Sequence, residues 1–233
     1  MKALKTIIYG VLSFIAVIIL TVGIFIVIPL IQEKLFVQDE YIMYVSKFPA
    51  SRLTLIYEFY LFFGFFCLFY KDLRKWVSSF FKKYKKLFLP VFGIFNIILL
   101  YTILSNVTVL TQNTLVDYSF LSPKGKVYSY NDISKINAGV YGDRQFFSFF
   151  GHSKGDFYYI VELNDGTKID LADVDFMGAK NDEDPRFIIE KLDKELVNMG
   201  TPKKASMKNF KYTTRYLDKI YTDKIQSILK NTH

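Results

Sequence analysis

Between Ile7 and Ile31 the chain runs for 25 residues without a charge, IIYGVLSFIAVIILTVGIFIVIPLI. A helix needs about 20 apolar residues to cross the hydrocarbon core of a bilayer, and in lipid every backbone amide must be paired within the segment. A membrane-spanning helix is therefore the expectation. Lys2 and Lys5 resemble the start of a cleavable leader, but the run exceeds the roughly 7–15 residues of a leader's apolar region, and no small-x-small site follows it. A retained anchor fits better.

Two further runs extend this reading. LTLIYEFYLFFGFFCLFY, from Leu53 to Tyr70, carries one carboxylate, Glu58, and LFLPVFGIFNIILLYTILSNVTVL, from Leu87 to Leu110, carries none. Spans are expected at about 7–31, 53–70 and 87–110, with Pro90 tolerable in a first helical turn. Glu58 and Asn96 are the intramembrane polar candidates. An acid near an interface can reach headgroups or pair with Arg52, and an amide can bond to a neighbouring helix, so neither requires a transport role.

Charge sets the expected orientation. KDLRKWVSSFFKKYKK, from Lys71 to Lys86, holds seven basic residues and one acid, whereas 32–52 has Lys34, Lys47 and Arg52 offset by Glu33, Asp39 and Glu40. Basic short loops stay cytoplasmic. With the N-terminus also inside, three spans carry the C-terminal part to an extracytoplasmic position at the cell membrane. Within the basic stretch, Lys75, Trp76, Phe80, Lys82, Lys83, Tyr84, Lys85 and Lys86 have the spacing of a helix lying in an anionic lipid interface. A topogenic loop with aromatic anchors accounts for the same residues.

The net charge of +8 does not imply nucleic acid: residues 1–110 hold 12 Lys/Arg against 5 Asp/Glu, and residues 111–233 hold 18 against 17. Cys67 is the only cysteine and lies in an apolar run, so no intramolecular disulfide or cysteine cluster is available.

After residue 110 the long runs give way to TLVDYSF, KVYSY, KINAGVY, RQFFSFF, FYYIVEL and TKIDL, short segments rich in β-formers. Ser122-Pro123-Lys124-Gly125 has turn chemistry, and Asn164-Asp165-Gly166 predicts a hairpin. Asp184, Pro185 and Gly200 then punctuate a helix with Ile188, Leu192 and Leu196 on one face, and a last helix is expected from about Thr213 to Leu229. The expected architecture is three transmembrane helices on 1–110 plus an α+β domain on 111–233.

The segments KVYSYNDISKI and YYIVELNDGTKIDL, followed by an amphipathic helix, resemble the pleckstrin-homology-like (PH-like) domains of small membrane-anchored proteins of Gram-positive bacteria. The likeness covers roughly residues 114–200. It implies an antiparallel PH-like sheet or barrel followed by C-terminal helices.

Chemistry is sparse. His152, in Gly151-His-Ser-Lys-Gly155, reads as part of an exposed hairpin loop, without Walker spacing or a triad pattern. DVDFMGAKNDED, from Asp173 to Asp184, has acids at the first, third and twelfth positions of a calcium loop and Gly at the sixth, but Met177 at the fifth. A solvated acidic loop leading into a helix N-terminus explains the same residues through the macrodipole and is the preferred reading. No metal, cofactor or catalysis is expected. The functional expectation is a non-enzymatic membrane protein with a β-rich binding domain, an accessory or immunity factor whose partners are the bilayer and a protein or peptide, with oligomerisation left open. A transport or channel component acting through Glu58 and Asn96 is the alternative.

Overall fold

A computed structural model describes residues 2–37, 40–142, 151–173 and 177–232. They form two compact units, residues 1–31 with 53–104 and residues 32–52 with 105–233. The expected strand RQFFSFF, 144–150, lies outside the described residues.

The first unit is built from α1 (Lys2–Phe36), α2 (Leu55–Phe69) and α3 (Lys71–Ser105). Three stretches, Ile8–Phe36, Ala50–Phe69 and Lys71–Ser105, are long and apolar enough to cross a membrane. Ile19, Phe59 and Ile97 project outward, an arrangement that suits a hydrocarbon solvent. α1 and α2 run antiparallel, with Phe14 against Phe65 at 6.4 Å between ring centroids and Gly10 beside the Phe69 ring. Tyr57 donates to the Asn96 carbonyl at 3.5 Å, and Tyr60 meets Phe92 at 5.4 Å.

Helix boundaries differ from the sequence expectation in one consequential way. α3 begins at Lys71 rather than Leu87, so the whole basic stretch is helical, and it ends at Ser105 because Val107–Thr111 forms a strand. Lys, Arg, Leu and Trp present no barrier to a helix. Pro90 is consequently inside α3, not in a first turn, and leaves the Lys86 carbonyl without its usual donor.

The second unit starts with β1 (Tyr41–Ser46), drawn from the connection between the first two apolar helices. It pairs antiparallel with β2 (Val107–Thr111), Ser46 opposite Val107 and Tyr44 opposite Val109. The chain then meanders through β3 (Thr114–Ser119) and β4 (Ser122–Ser129), and again through β5 (Ile133–Val140), β6 (Phe157–Leu163) and β7 (Lys168–Asp170). Adding β8 (Met177–Ala179) gives a first sheet ordered β4-β3-β2-β1-β8. In the second, β7-β6-β5-β9, the strand β9 (Lys203–Ala205) runs parallel to β5.

Segment 32–52, expected as a loop, thus supplies an interior strand, and the expected division at 110/111 falls within β2. Met43 and Val45 of β1 enter the main core beside Leu110, Ile136, Val161, Ile189 and Ile225. On the other face Tyr44 packs with Val107, Val109 and Tyr118, covered by Phe36. A strand whose last four residues, Met43 to Ser46, are buried on both faces belongs in a sheet interior, where its backbone groups find partners.

The turn expected at Ser122–Gly125 moves to Phe120-Leu121, and those four residues lie in β4. β4 is an edge strand, where a proline with no N–H to donate is tolerated. Gly125 has φ +75°, and a Cβ there would collide with Tyr118 and Val116. The Asn164-Asp165-Gly166 hairpin forms as expected, Leu163 N–H donating to the Thr167 carbonyl at 2.8 Å.

α4 (Pro185–Asn198) forms where its punctuation predicts, Asp184 accepting the Arg186 N–H at 2.9 Å. Its buried face includes Ile188, Ile189, Leu192 and Leu196. The last expected helix is broken: α5 (Phe210–Thr213) is one turn, and α6 (Lys219–Lys230) begins after Asp218. Ile225, Ile228 and Leu229 are buried, but Ile220 is exposed. Lys203 and Asp193 form a buried ion pair at 2.5 Å. Tyr159 and Asn231 donate to the same carboxylate, and the ammonium caps the Ile228 and Asn231 carbonyls at the end of α6.

Candidate functional site

The second unit contains a cavity of about 770 Å³. Its walls come from 152–157, the end of β7 with Ala172 and Asp173, the first turns of α4, residues within 213–217, Ile225 of α6, and Arg52. Arg52 directly precedes Leu53, where the second apolar run begins.

His152 anchors one wall through its ring. It stacks on Tyr141 at 4.1 Å with 4° between planes, and lies 4.6 Å from Phe48; Tyr141 in turn meets Tyr158 at 4.7 Å. The four rings form a row that holds segment 151–156 against the sheet. Thr213 donates to the Gly155 carbonyl at 2.8 Å, and Asp156 accepts the Ser153 N–H at 2.6 Å. His152, in the connection between β5 and β6, is therefore half-buried in an aromatic stack and not exposed as expected. The stacking partners lie 11 and 104 residues away in the chain, which is why local sequence concealed them.

Charges of both signs converge on the cavity. Arg186 is committed on two sides: its fork grips Asp184 at 2.8 and 2.7 Å, and its guanidinium lies 4.1 Å from the Tyr221 ring. The Lys154 ammonium lies 4.0 Å over the Tyr212 ring. Among the acids of the lining, Asp170 accepts the N–H groups of Tyr159 and Ala172 at 2.9 and 3.0 Å. Burial pushes the Asp170 carboxyl above its ordinary value, outweighing those bonds and nearby His152. Burial and then Asp170 also push the Tyr141 phenol upward. Asp173 is buried and also lines the cavity, while Ile189, Leu217, Ile225 and Phe157 supply apolar surface. Such a recess can hold a segment that carries charge and an apolar side chain together.

The residues singled out from sequence lie elsewhere. Lys75, Trp76, Phe80, Lys82, Lys83, Tyr84, Lys85 and Lys86 are all on α3. There Trp76 and Phe80 stack at 5.9 Å, Phe80 and Tyr84 meet at 5.1 Å, and the five lysines are exposed. Asn96 donates to the Phe92 carbonyl of its own helix at 2.8 Å. Glu58 Oε1 is enclosed and takes no hydrogen bond from the described residues. In the acidic stretch, Asp184 caps α4 and holds Arg186, and 174–176 lie outside the described residues. Among the described residues no three His, Cys, Asp or Glu side chains gather as a metal site.

Sequence reasoning missed Arg52, Lys154, Asp170 and Arg186. Only Arg186 left a signal, since its position two residues after a helix cap predicts contact with the capping acid. No protein-family model matches the chain, and comparison with curated proteins and with solved structures also finds no match.

Proposed function

We propose that the chain is a multi-pass membrane protein whose second unit is a non-enzymatic binding module, with the mixed-charge cavity as its recognition site for a protein or peptide segment. The observation that carries this reading is the cavity itself: about 770 Å³, lined by Lys154, Arg186, Asp170 and Asp173 together with the apolar Phe157, Ile189, Leu217 and Ile225. A lining that carries both signs of charge favours a ligand that presents both signs. An accessory or immunity role is compatible with a module of this kind.

The orientation follows the charge argument, with the N-terminus and Lys71–Lys86 cytoplasmic and the binding module outside. The pairing of β1 with β2 adds that the start of α2 and the end of α3 emerge on one side, whichever side that is. Two crossings meet that requirement. The PH-like reading draws support from two successive three-strand meanders, β2-β3-β4 and β5-β6-β7, with the helix α4 after them in the chain.

The experiment is site-specific photo-crosslinking from Tyr216, at the cavity and 77% exposed, in intact cells. A discrete adduct that disappears with Arg52→Ala or Lys154→Ala is expected. No adduct at any growth stage, in protein shown to be folded, would reject the binding reading. The enclosed Glu58 Oε1 favours a second reading, transport through the helices. Loss of cellular function in a folded Glu58→Gln variant, with cross-linking unchanged, would select it.

A further inference from the structure

The turn between β3 and β4 reads Phe120-Leu121, and Leu121, 88% exposed, is the most exposed large apolar side chain among the described residues. Two-residue hairpin turns ordinarily recruit Gly, Asn or Asp for their backbone freedom. Here neither residue has positive φ, so turn geometry does not account for them. What they touch remains as the explanation.

Strand register locates the turn. Ser46 lies opposite Val107, Thr108 opposite Asp117, and Ser119 opposite Ser122, while the Lys47 N–H donates to the Asn106 carbonyl at 2.9 Å. Extending the β2–β3 register by two residues puts Asn106 across from Ser119. Strands are about 4.8 Å apart, so the turn is within roughly 10 Å of Asn106. Asn106 is the single residue between α3 and β2. Phe120 and Leu121 thus occupy the end of the sheet at which the chain arrives from its last apolar helix. The turn at the other end of the same hairpin pair is Gln112-Asn113, polar and exposed. Behind the apolar turn, Lys124 and Lys126 are exposed on β4.

We infer that Phe120 and Leu121 enter the boundary between headgroups and acyl chains of the bilayer that the chain's own helices cross, with Lys124 and Lys126 at the level of the lipid phosphates. This rests on the reading that those helices are membrane-inserted. The binding module then has a second attachment beyond its covalent links, which limits its rotation on the membrane.

The test uses the full chain in a Cys67→Ser background, reconstituted in vesicles of phosphatidylglycerol and phosphatidylethanolamine. Single Leu121→Cys, Asn113→Cys and Ile97→Cys variants carry an environment-sensitive fluorophore. Ile97 is on α3 and 70% exposed, so it reports insertion of the helices. The expected result is quenching by lipid-borne spin label at 97 and 121 but not 113, with aqueous iodide quenching several-fold weaker at 121 than at 113. If 97 is quenched by the lipid label while 121 responds to iodide as 113 does, the turn is not an anchor and the membrane reading survives. Absence of lipid quenching at 97 would overturn both.

Discussion

Lys47 and Asp117, seventy residues apart, form an ion pair at 2.9 Å, and Thr108 donates to the same carboxylate oxygen at 2.8 Å. The pair bolts the segment between the first two apolar helices to the third strand of the meander. Removing one partner of a buried pair leaves an uncompensated charge, at a typical cost of 3–5 kcal/mol. Lys47→Met is expected to destabilise the second unit by about 3 kcal/mol on that basis. Asp117→Leu added to it should return part of the loss, read from thermal unfolding followed by circular dichroism.

Because β1 is an interior strand, residues 112–233 are not an independent folding unit, contrary to what the change in pattern after residue 110 suggests. Expressed alone they are expected to melt without cooperativity, since β1 and β2 are absent and Leu115 and Ile136 lose Met43, Val45 and Leu110 from their core. Residues 32–52 joined to 105–233 by a Gly/Ser linker of about eight residues should instead give one cooperative transition.

The Lys203–Asp193 pair is enclosed, each side chain 1% exposed. Asp193→Leu leaves the buried ammonium without a counter-charge, with only the Ile228 and Asn231 carbonyls as partners, and removes the acceptor of the Tyr159 hydroxyl and the Asn231 amide, so a loss of about 4 kcal/mol is expected, visible as a lower urea midpoint. Asp193→Leu with Lys203→Met should be milder, because no unpaired charge remains.

Glu190 provides a pH test. Burial pushes its carboxyl up, but hydrogen bonds from Lys224, Ser227 and Lys194 prevail and hold it at about 2, against an ordinary 4.5. A carboxyl depressed in the folded state contributes stability above its unfolded value, and that contribution is lost as pH falls through the folded value. Glu190→Gln should therefore lower the melting temperature at neutral pH, and the difference should vanish between about pH 4.5 and 2.

On α3, Trp76, Phe80 and Tyr84 form an aromatic ladder, with Lys75, Lys82 and Lys86 on the opposite side of the helix. A peptide of residues 71–86 is expected to gain helix on anionic vesicles, with blue-shifted Trp76 emission, and to lose both in high salt. At about 1 kcal/mol per charge, changing Lys82, Lys83, Lys85 and Lys86 to Gln should weaken low-salt binding by roughly 4 kcal/mol. An unstructured peptide with water-exposed tryptophan would leave the stretch only its orienting role.

Three apolar helices, the Asn164–Gly166 hairpin and α4 were legible from residue order because each depends on neighbours within a few positions. An uncharged run of membrane length, a turn needing Gly166 at positive φ, and a helix bracketed by Asp184-Pro185 and Gly200 carry their causes with them. Segment 41–46 shows the limit. Tyr41-Ile42-Met43-Tyr44-Val45-Ser46 has strand composition, yet its partners Val107–Thr111 lie beyond two helices, and only pairing at that distance decides that it is interior. The cavity is likewise a product of tertiary structure: Phe48, Tyr141 and His152 share a stack, and Arg52, Lys154 and Arg186 line one cavity, without any spacing that announces it. Local chemistry determines which elements form; the burial of their faces against distant elements determines where a site can exist.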